Sequence, residues 1–308
     1  MKKKLLFLLM ILVIPFVSAN SQFDNWSFQI GLGITQPMNE LKGDSPFAYV
    51  PKWTGYFLNY NYNPPIVDST ILYNIILTDS NFMKENYGVS TGFTLNGAAK
   101  VNIDKYNTLR GIITMGFSTF NTFASDKSGS SPFPVQNGYQ TVSVTYSNSF
   151  TAFGIGLGLE VAPTSFTNIF TPYFGATFNF NFLSANLTRS YGRDSLKADI
   201  GPEFRIGAAI HGGLELRVSK GIDIVAGAKY DFGNLLLKTT RSGQQDFITY
   251  GKTNMSLNDD EGYYWSNLND PNGVSKMYKT KSKSINWLSF FIGVNIYPNI
   301  LSPKEKKK

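Results

Sequence analysis

Few residues in this chain are able to do chemistry. It holds one histidine, His211, and no cysteine. Disulfides, thiol nucleophiles and a lipidated N-terminal cysteine are excluded, and a zinc site is not expected, because such sites draw on several His or Cys ligands. Catalysis by His211 would need a hydroxyl and an acid within hydrogen-bond reach. Gly212 and Gly213 follow it directly, so no His-x-Ser spacing forms. Gly154-Ile-Gly-Leu-Gly158 has the composition of a phosphate loop, but it lies inside an alternating stretch and opens no helix. No catalytic, cofactor or metal site is expected.

What remains is a set of charges on one face of successive alternating segments: Lys100, Arg110, Glu160, Arg205, His211, Glu215, Arg217, Asp223, Lys229 and Asp231. Leaving the histidine aside, five are positive and four negative. Isolated buried charges are costly, so near-balance fits residues that pair and fill an interior. Glycines on the same face leave a second reading open, a narrow charged conduit. His211 is expected to pair with Glu215.

The elements that position these residues show a period of two. Trp26, Phe28, Ile30, Leu32 and Ile34 fall on one side, and Ser27, Gln29, Gly31, Gly33 and Thr35 on the other. Strand side chains point alternately to opposite faces, so one face is apolar and the other small and polar. The split recurs over residues 89–103, 109–118, 153–161, 170–182, 205–218, 222–232 and 288–296, with Ile112 a mismatch. Segments of about 9–11 residues suit tilted strands crossing a bilayer. No later stretch is long and apolar enough for a spanning helix, and only a closed barrel leaves no unpaired edge in hydrocarbon.

The links alternate in length. Residues 104–108, 162–168 and 219–221 are short, whereas 36–87, 121–141, 183–204 and 234–284 are long. Short periplasmic turns, long extracellular loops and both termini in the periplasm are expected. Within the first long link, Tyr56, Leu58, Tyr60 and Tyr62 alternate, as do Ile71, Tyr73, Ile75 and Leu77. Two more spanning strands would make ten; a hairpin above the membrane keeps eight, which is the expectation. Aromatics near strand ends, namely Trp26, Tyr106, Phe166, Phe170 and Tyr297 at one rim and Phe117, Phe120, Phe180, Phe182, Tyr230, Phe232 and Trp287 at the other, suit the two head-group levels.

Lys2, Lys3 and Lys4, the apolar run 5–17 and Val17-Ser18-Ala19 read as a signal peptide over 1–19, with the mature chain starting at Asn20. A barrel domain over 20–303 and a basic tail over 304–308 follow. Of the net charge of +7, Lys2–Lys4 supply +3 and the tail +3, so the body holds about +1 and no nucleic-acid footprint.

The motifs Phe28-Gln-Ile-Gly-Leu-Gly-Ile34, Tyr173-Phe-Gly-Ala-Thr-Phe178 and Phe291-Ile-Gly-Val-Asn-Ile-Tyr297 resemble the small outer-membrane β-barrel superfamily of the OmpA transmembrane domain, OmpX and the PorT-like proteins, over about residues 26–297. The resemblance implies an all-β, antiparallel up-and-down barrel in a Gram-negative outer membrane, inserted by the barrel-assembly machinery and surrounded by lipid. It implies architecture rather than one activity. Many such barrels end on an aromatic residue, whereas here Pro298 to Lys308 follow Tyr297. The expected function is a non-enzymatic surface or envelope protein acting through its loops. Their Asp259-Asp260-Glu261 and Tyr263-Tyr264-Trp265 runs suit a surface protein or glycan ligand. The alternatives are a narrow channel or porter for small or hydrophobic solutes, and a PorT-like accessory subunit of an envelope secretion complex.

Overall fold

The computed structural model describes residues 26–42, 53–59, 66–73, 87–104, 108–121, 128–135, 138–163, 169–191, 194–219, 221–240, 252–266 and 276–298. The signal-peptide and basic-tail readings, and Tyr106 and Phe166 of the turn-end rim, lie outside these residues. Eight strands form the barrel: β1 (Trp26–Asn39), β2 (Gly92–Asn102), β3 (Leu109–Asn121), β4 (Gly138–Val161), β5 (Phe170–Tyr191), β6 (Asp194–Ser219), β7 (Ile222–Leu236) and β8 (Ile285–Ile296). Each pairs antiparallel with the next, and β8 returns to β1, closing the ring. Among the described residues no helix is long and apolar enough to cross a membrane.

The burial pattern inverts that of a soluble protein. Phe174, Ile34 and Ile292 are 62%, 61% and 69% exposed on the outer wall, while Lys100, Glu160, Asn179 and Asn295 are buried within. A wall of exposed aliphatic and aromatic side chains around a polar interior suits hydrocarbon outside and not water. Ile112, the mismatch in the alternation, shares the inward parity of Arg110 and Thr114 and is buried. At the turn between β6 and β7, Gly221 takes φ 90°, a left-handed conformation that glycine adopts without steric cost.

Three expectations are corrected or settled. The described residues of the long links 121–141 and 183–204 lie mostly in strands: β5 and β6 stay paired up to Tyr191↔Asp194, and β4 extends to pair with an edge strand, Ser128–Val135. A parallel strand, Lys252–Met255, adds to β6 on the other side. The barrel's sheet therefore continues past the ring as a protruding blade. The period-two contrast fades there, so sequence periodicity stops signalling strand. Among the described residues, strands Trp53–Asn59 and Ile66–Tyr73 pair only with each other, which keeps the ring at eight. Phe120 and Trp287 are not rim aromatics facing lipid; their parity turns them inward, where both are buried.

β6 carries a bulge. Leu183 pairs with Glu203 but Ala185 pairs with Ile200, so Gly201 and Pro202 share one step of β5. The extra residue lets Ile200 and Glu203 both face inward and places Asp199 on the outer side.

Placing a charge on the outer wall tests the lipid-facing assignment. Ile292→Arg should lower stability in bilayers by about 2–4 kcal/mol, the cost of arginine near a bilayer midplane. Denaturant titration of vesicle-inserted protein reads this; stability equal to wild type would place Ile292 outside the hydrocarbon.

A candidate functional site in a closed bore

An eight-stranded barrel is just wide enough for its own side chains to fill. Toward the turn end they do so with ions. Register sets Arg110 on β3 opposite Glu160 on β4, with Lys100 arriving from β2 and Glu215 from β6. Lys100 Nζ lies 3.0 Å from carboxylate oxygens of both Glu160 and Glu215. Arg110 Nη1 lies 3.0 Å from Glu160 and 2.8 Å from Glu215. Asn295 Nδ2 donates to Glu215 Oε1 at 3.2 Å, and Lys100 sits 4.6 Å above the Tyr173 ring. Two acids and two bases thus neutralise one another and tie separate strands across the bore.

His211 joins this cluster through Glu160, with Nε2 3.2 Å from Oε2, and not through Glu215 as its sequence neighbourhood suggested. Glu160, Gly175 and His211 stand in one register row. A Cβ on Gly175 would lie 2.6 Å from His211 Nε2. The missing side chain on β5 lets the imidazole reach across to β4.

Above the cluster lies a cavity of about 40 Å³, lined by Gln29, Asn96, Lys100, Glu160, Tyr173, His211 and Lys229 among others. Gln29 Oε1, Asn96 Nδ2, Tyr173 Oη and His211 Nδ1 are buried without a hydrogen-bond partner among the described residues. Ile112, Met115 and Phe291 supply much of its surface, but a space of this size has room for on the order of three waters, which would satisfy those atoms. Lys229 pairs with Asp231 at 2.8 Å, and Asn179 Nδ2 donates to Asp231 at 3.2 Å.

The loop end is closed differently. Leu41, Tyr87, Val89 and Leu257 fold over the mouth onto Phe120, Phe150, Leu183, Ile285 and Trp287. Tyr87 and Phe150 rings are 5.5 Å apart, and Phe120 meets Trp287 edge-on at 6.0 Å. Tyr87 Oη donates to the Leu257 carbonyl at 2.8 Å. Around this apolar plug, Asp259 accepts from Arg205 at 2.9 and 2.7 Å and from Asn234 at 2.7 Å. Glu203 accepts from Arg205 at 2.7 Å and from the Leu257 amide at 2.9 Å. Burial alone would raise the Asp259 carboxyl, but the hydrogen bonds from Arg205 and Asn234 hold it below the ordinary range. Lys283 is fully buried with its ammonium 5.0 Å from the Tyr87 ring centre. Burial pulls it down to about 7, against an upward pull from Asp259.

The ten charges singled out in the sequence therefore separate. Lys100, Arg110, Glu160, His211 and Glu215 form the central cluster; Lys229 and Asp231 pair above it. Arg217 and Asp223 meet at 3.5 Å on the turn-end rim, and Arg205 belongs to the plug. Sequence reasoning missed Glu203, Asn234, Asp259 and Lys283 as a unit. The Asp259-Asp260-Glu261 run marked the region, but nothing local indicates that Asp259 turns inward. Among the described residues no group of three or more His, Asp or Glu is placed to hold a metal.

No protein-family model and no curated protein matches the chain. Solved barrels do. Neisserial surface protein A matches at 12% identity over 88% of this chain and 96% of that one, with TM-score 0.39. OprG of Pseudomonas aeruginosa matches at 10% over 88% and 94%, TM-score 0.35. The outer membrane protease OmpT of Escherichia coli matches at 11% over 91% and 99%, TM-score 0.34. Similarity at this level carries nothing about activity. The closed ring, apolar wall and polar bore are themselves those of a small outer-membrane-type β-barrel.

Two outcomes follow from this geometry. Glu160→Ala leaves Lys100, Arg110 and His211 sharing one carboxylate fewer, and should cost about 3–5 kcal/mol in a denaturant titration; a loss under about 1 kcal/mol would show that the cluster does not bind the strands together. Lys283 titrates near 7 when folded and near 10.5 when free, so the cost of its buried charge is complete below about pH 7 and is relieved as pH rises toward about 10. Thermal stability should rise over that interval, and Lys283→Met should flatten the rise.

Proposed function

We propose that this barrel sits in a bacterial outer membrane, turns and termini in the periplasm and long links outside, as a non-enzymatic surface protein acting through its loop end. The observation that carries this reading is the double closure of the bore. A neutralised ion cluster fills the turn half, an apolar plug covers the other mouth, and cavities of about 40 and 10 Å³ lie between them. A channel or porter would need both barriers displaced. An enzyme built on His211 would need substrate to reach a side chain enclosed among Glu160, Gly175 and Tyr173. The loop end, by contrast, is built up: Arg205, Glu203, Asn234 and Asp259 tie down the plug, and the sheet continues outward as the blade. Outer-membrane lipid and the barrel-assembly machinery are the partners this placement entails.

Purified protein in planar bilayers should give no discrete current steps, and steady conductance would sink the reading in favour of the channel. Orientation is tested separately. In intact cells a membrane-impermeant maleimide should label Lys42→Cys, exposed at the loop end, and spare Ser219→Cys, exposed at the turn end; the reverse pattern would invert the topology.

A further inference from the structure

Glycines open the cavity above the ion cluster. Asn96 on β2 stands in register between Gly31 on β1 and Gly116 on β3, so neither neighbour puts a side chain beside its amide. Tyr173 on β5 reaches over Gly213 and Gly227, where a Cβ on either glycine would strike its hydroxyl. Charge around the cavity is uneven. Among the described residues, the ammoniums of Lys100 and Lys229 line it against the single carboxylate of Glu160. The acids that complete their pairs are turned elsewhere. Glu215 accepts from Arg110 at 2.8 Å and from Asn295 at 3.2 Å and is not part of the lining. Asp231 accepts from Asn179 at 3.2 Å and lines the second cavity, of about 10 Å³, instead.

We infer that this cavity is a binding site for a single-atom monovalent anion such as chloride, taken up together with a proton on His211. Potential is the first argument: two ammoniums against one carboxylate leave the lining positive, and low dielectric magnifies that excess. Donors are the second. Asn96 Nδ2 and Tyr173 Oη are buried in the lining without a partner among the described residues, and both can donate. Size is the third: about 40 Å³ admits such an ion in the place of roughly one of the waters it could hold. The proton follows from His211. Its Nε2 lies 3.2 Å from Glu160 and donates to that carboxylate, so in the neutral ring the buried, unpartnered Nδ1 is an acceptor and would repel an anion. A second proton makes both nitrogens donors. Around His211, Lys100, Arg110 and Lys229 balance Glu160, Glu215 and Asp231, and Tyr173 is uncharged; β1 and β8 add only amides and the Phe291 ring. The added proton therefore leaves one positive charge in excess, and the anion cancels it. The site lies inside the bore and depends neither on the surface role nor on the orientation of the barrel.

Urea titrations of the vesicle-inserted protein at constant ionic strength, with chloride or gluconate as the anion, test this. They are run at about pH 5.5 and about pH 8.5, which bracket the titration of an ordinary imidazole. Chloride at about ten times its dissociation constant should raise the folded-to-unfolded ratio about tenfold at the lower pH, and less than about twofold at the higher. Tyr173→Phe removes one donor and breaks no hydrogen bond among the described residues. It should keep the heat-modifiable gel migration of a closed barrel and cut the chloride effect to about a third or less. Asn96→Asp sets a carboxylate in the cavity and should abolish the effect. Crystals grown in bromide near pH 5.5 should show anomalous scattering between Asn96, Tyr173 and Lys229. No chloride effect overturns the proposal, and so does one undiminished in Tyr173→Phe. Bromide confined to the outside of the barrel, an adventitious ion only, overturns it as well. A chloride effect equal at both pH values overturns the coupled proton.

Discussion

In hydrocarbon no water is present to satisfy a peptide group, so every backbone N–H and C=O in the wall must find a partner within the wall. That constraint closes the ring of eight strands and joins β8 to β1. Closure fixes which way each side chain points. Lipid then requires the outward residues to be apolar, and the narrow interior receives all the others. The ion cluster, the cavity and the plug are consequences of how that interior is filled.

The two halves of the bore are filled by different physics. Near the turns, Lys100, Arg110, Glu160 and Glu215 are nearly removed from solvent, and their attraction must offset a desolvation cost of several kcal/mol per ion. Such a cluster is tolerant of little: each member is held by the others, and loss of one leaves a buried charge exposed to the low dielectric. At the loop end, aromatic and aliphatic contacts do most of the closing, with Asp259 and Glu203 tying the returning chain to β6 and β7. Water is excluded from the mouth by apolar packing and from the base by mutual neutralisation. The small cavities between them, edged by unpartnered polar atoms, are suited to retain it.

The transmembrane part was legible in the sequence because lipid on one side and a polar bore on the other force a strong contrast at every second residue. Phe28 through Ile34 show it without a break. Above Phe153 and Phe182 that contrast ends, and stretches such as residues 183–204 read as loops although 183–191 and 194–204 lie in paired strands. The interior charges could be placed on the right face by parity alone. Their pairing could not, since His211 meets Glu160 only through the gap left by Gly175. Tyr87, Leu257, Asp259 and Lys283 lie far apart within long links, and their convergence depends on how those links fold back. Phe120 and Trp287 were read by position near a strand end, where their parity was the better guide.

The bulge at Gly201 and Pro202 bears on how the blade can change length. Beyond the closed ring, paired two-residue insertions on neighbouring strands would lengthen it while each side chain kept its side. A single inserted residue would exchange the covered and open faces of everything beyond it, unless another irregularity of this kind absorbed the step. Growth of this sheet beyond the ring is thereby quantised in pairs, and the bulge marks a place on β6 where an odd step has been accommodated, as Val218 does near the turn to β7.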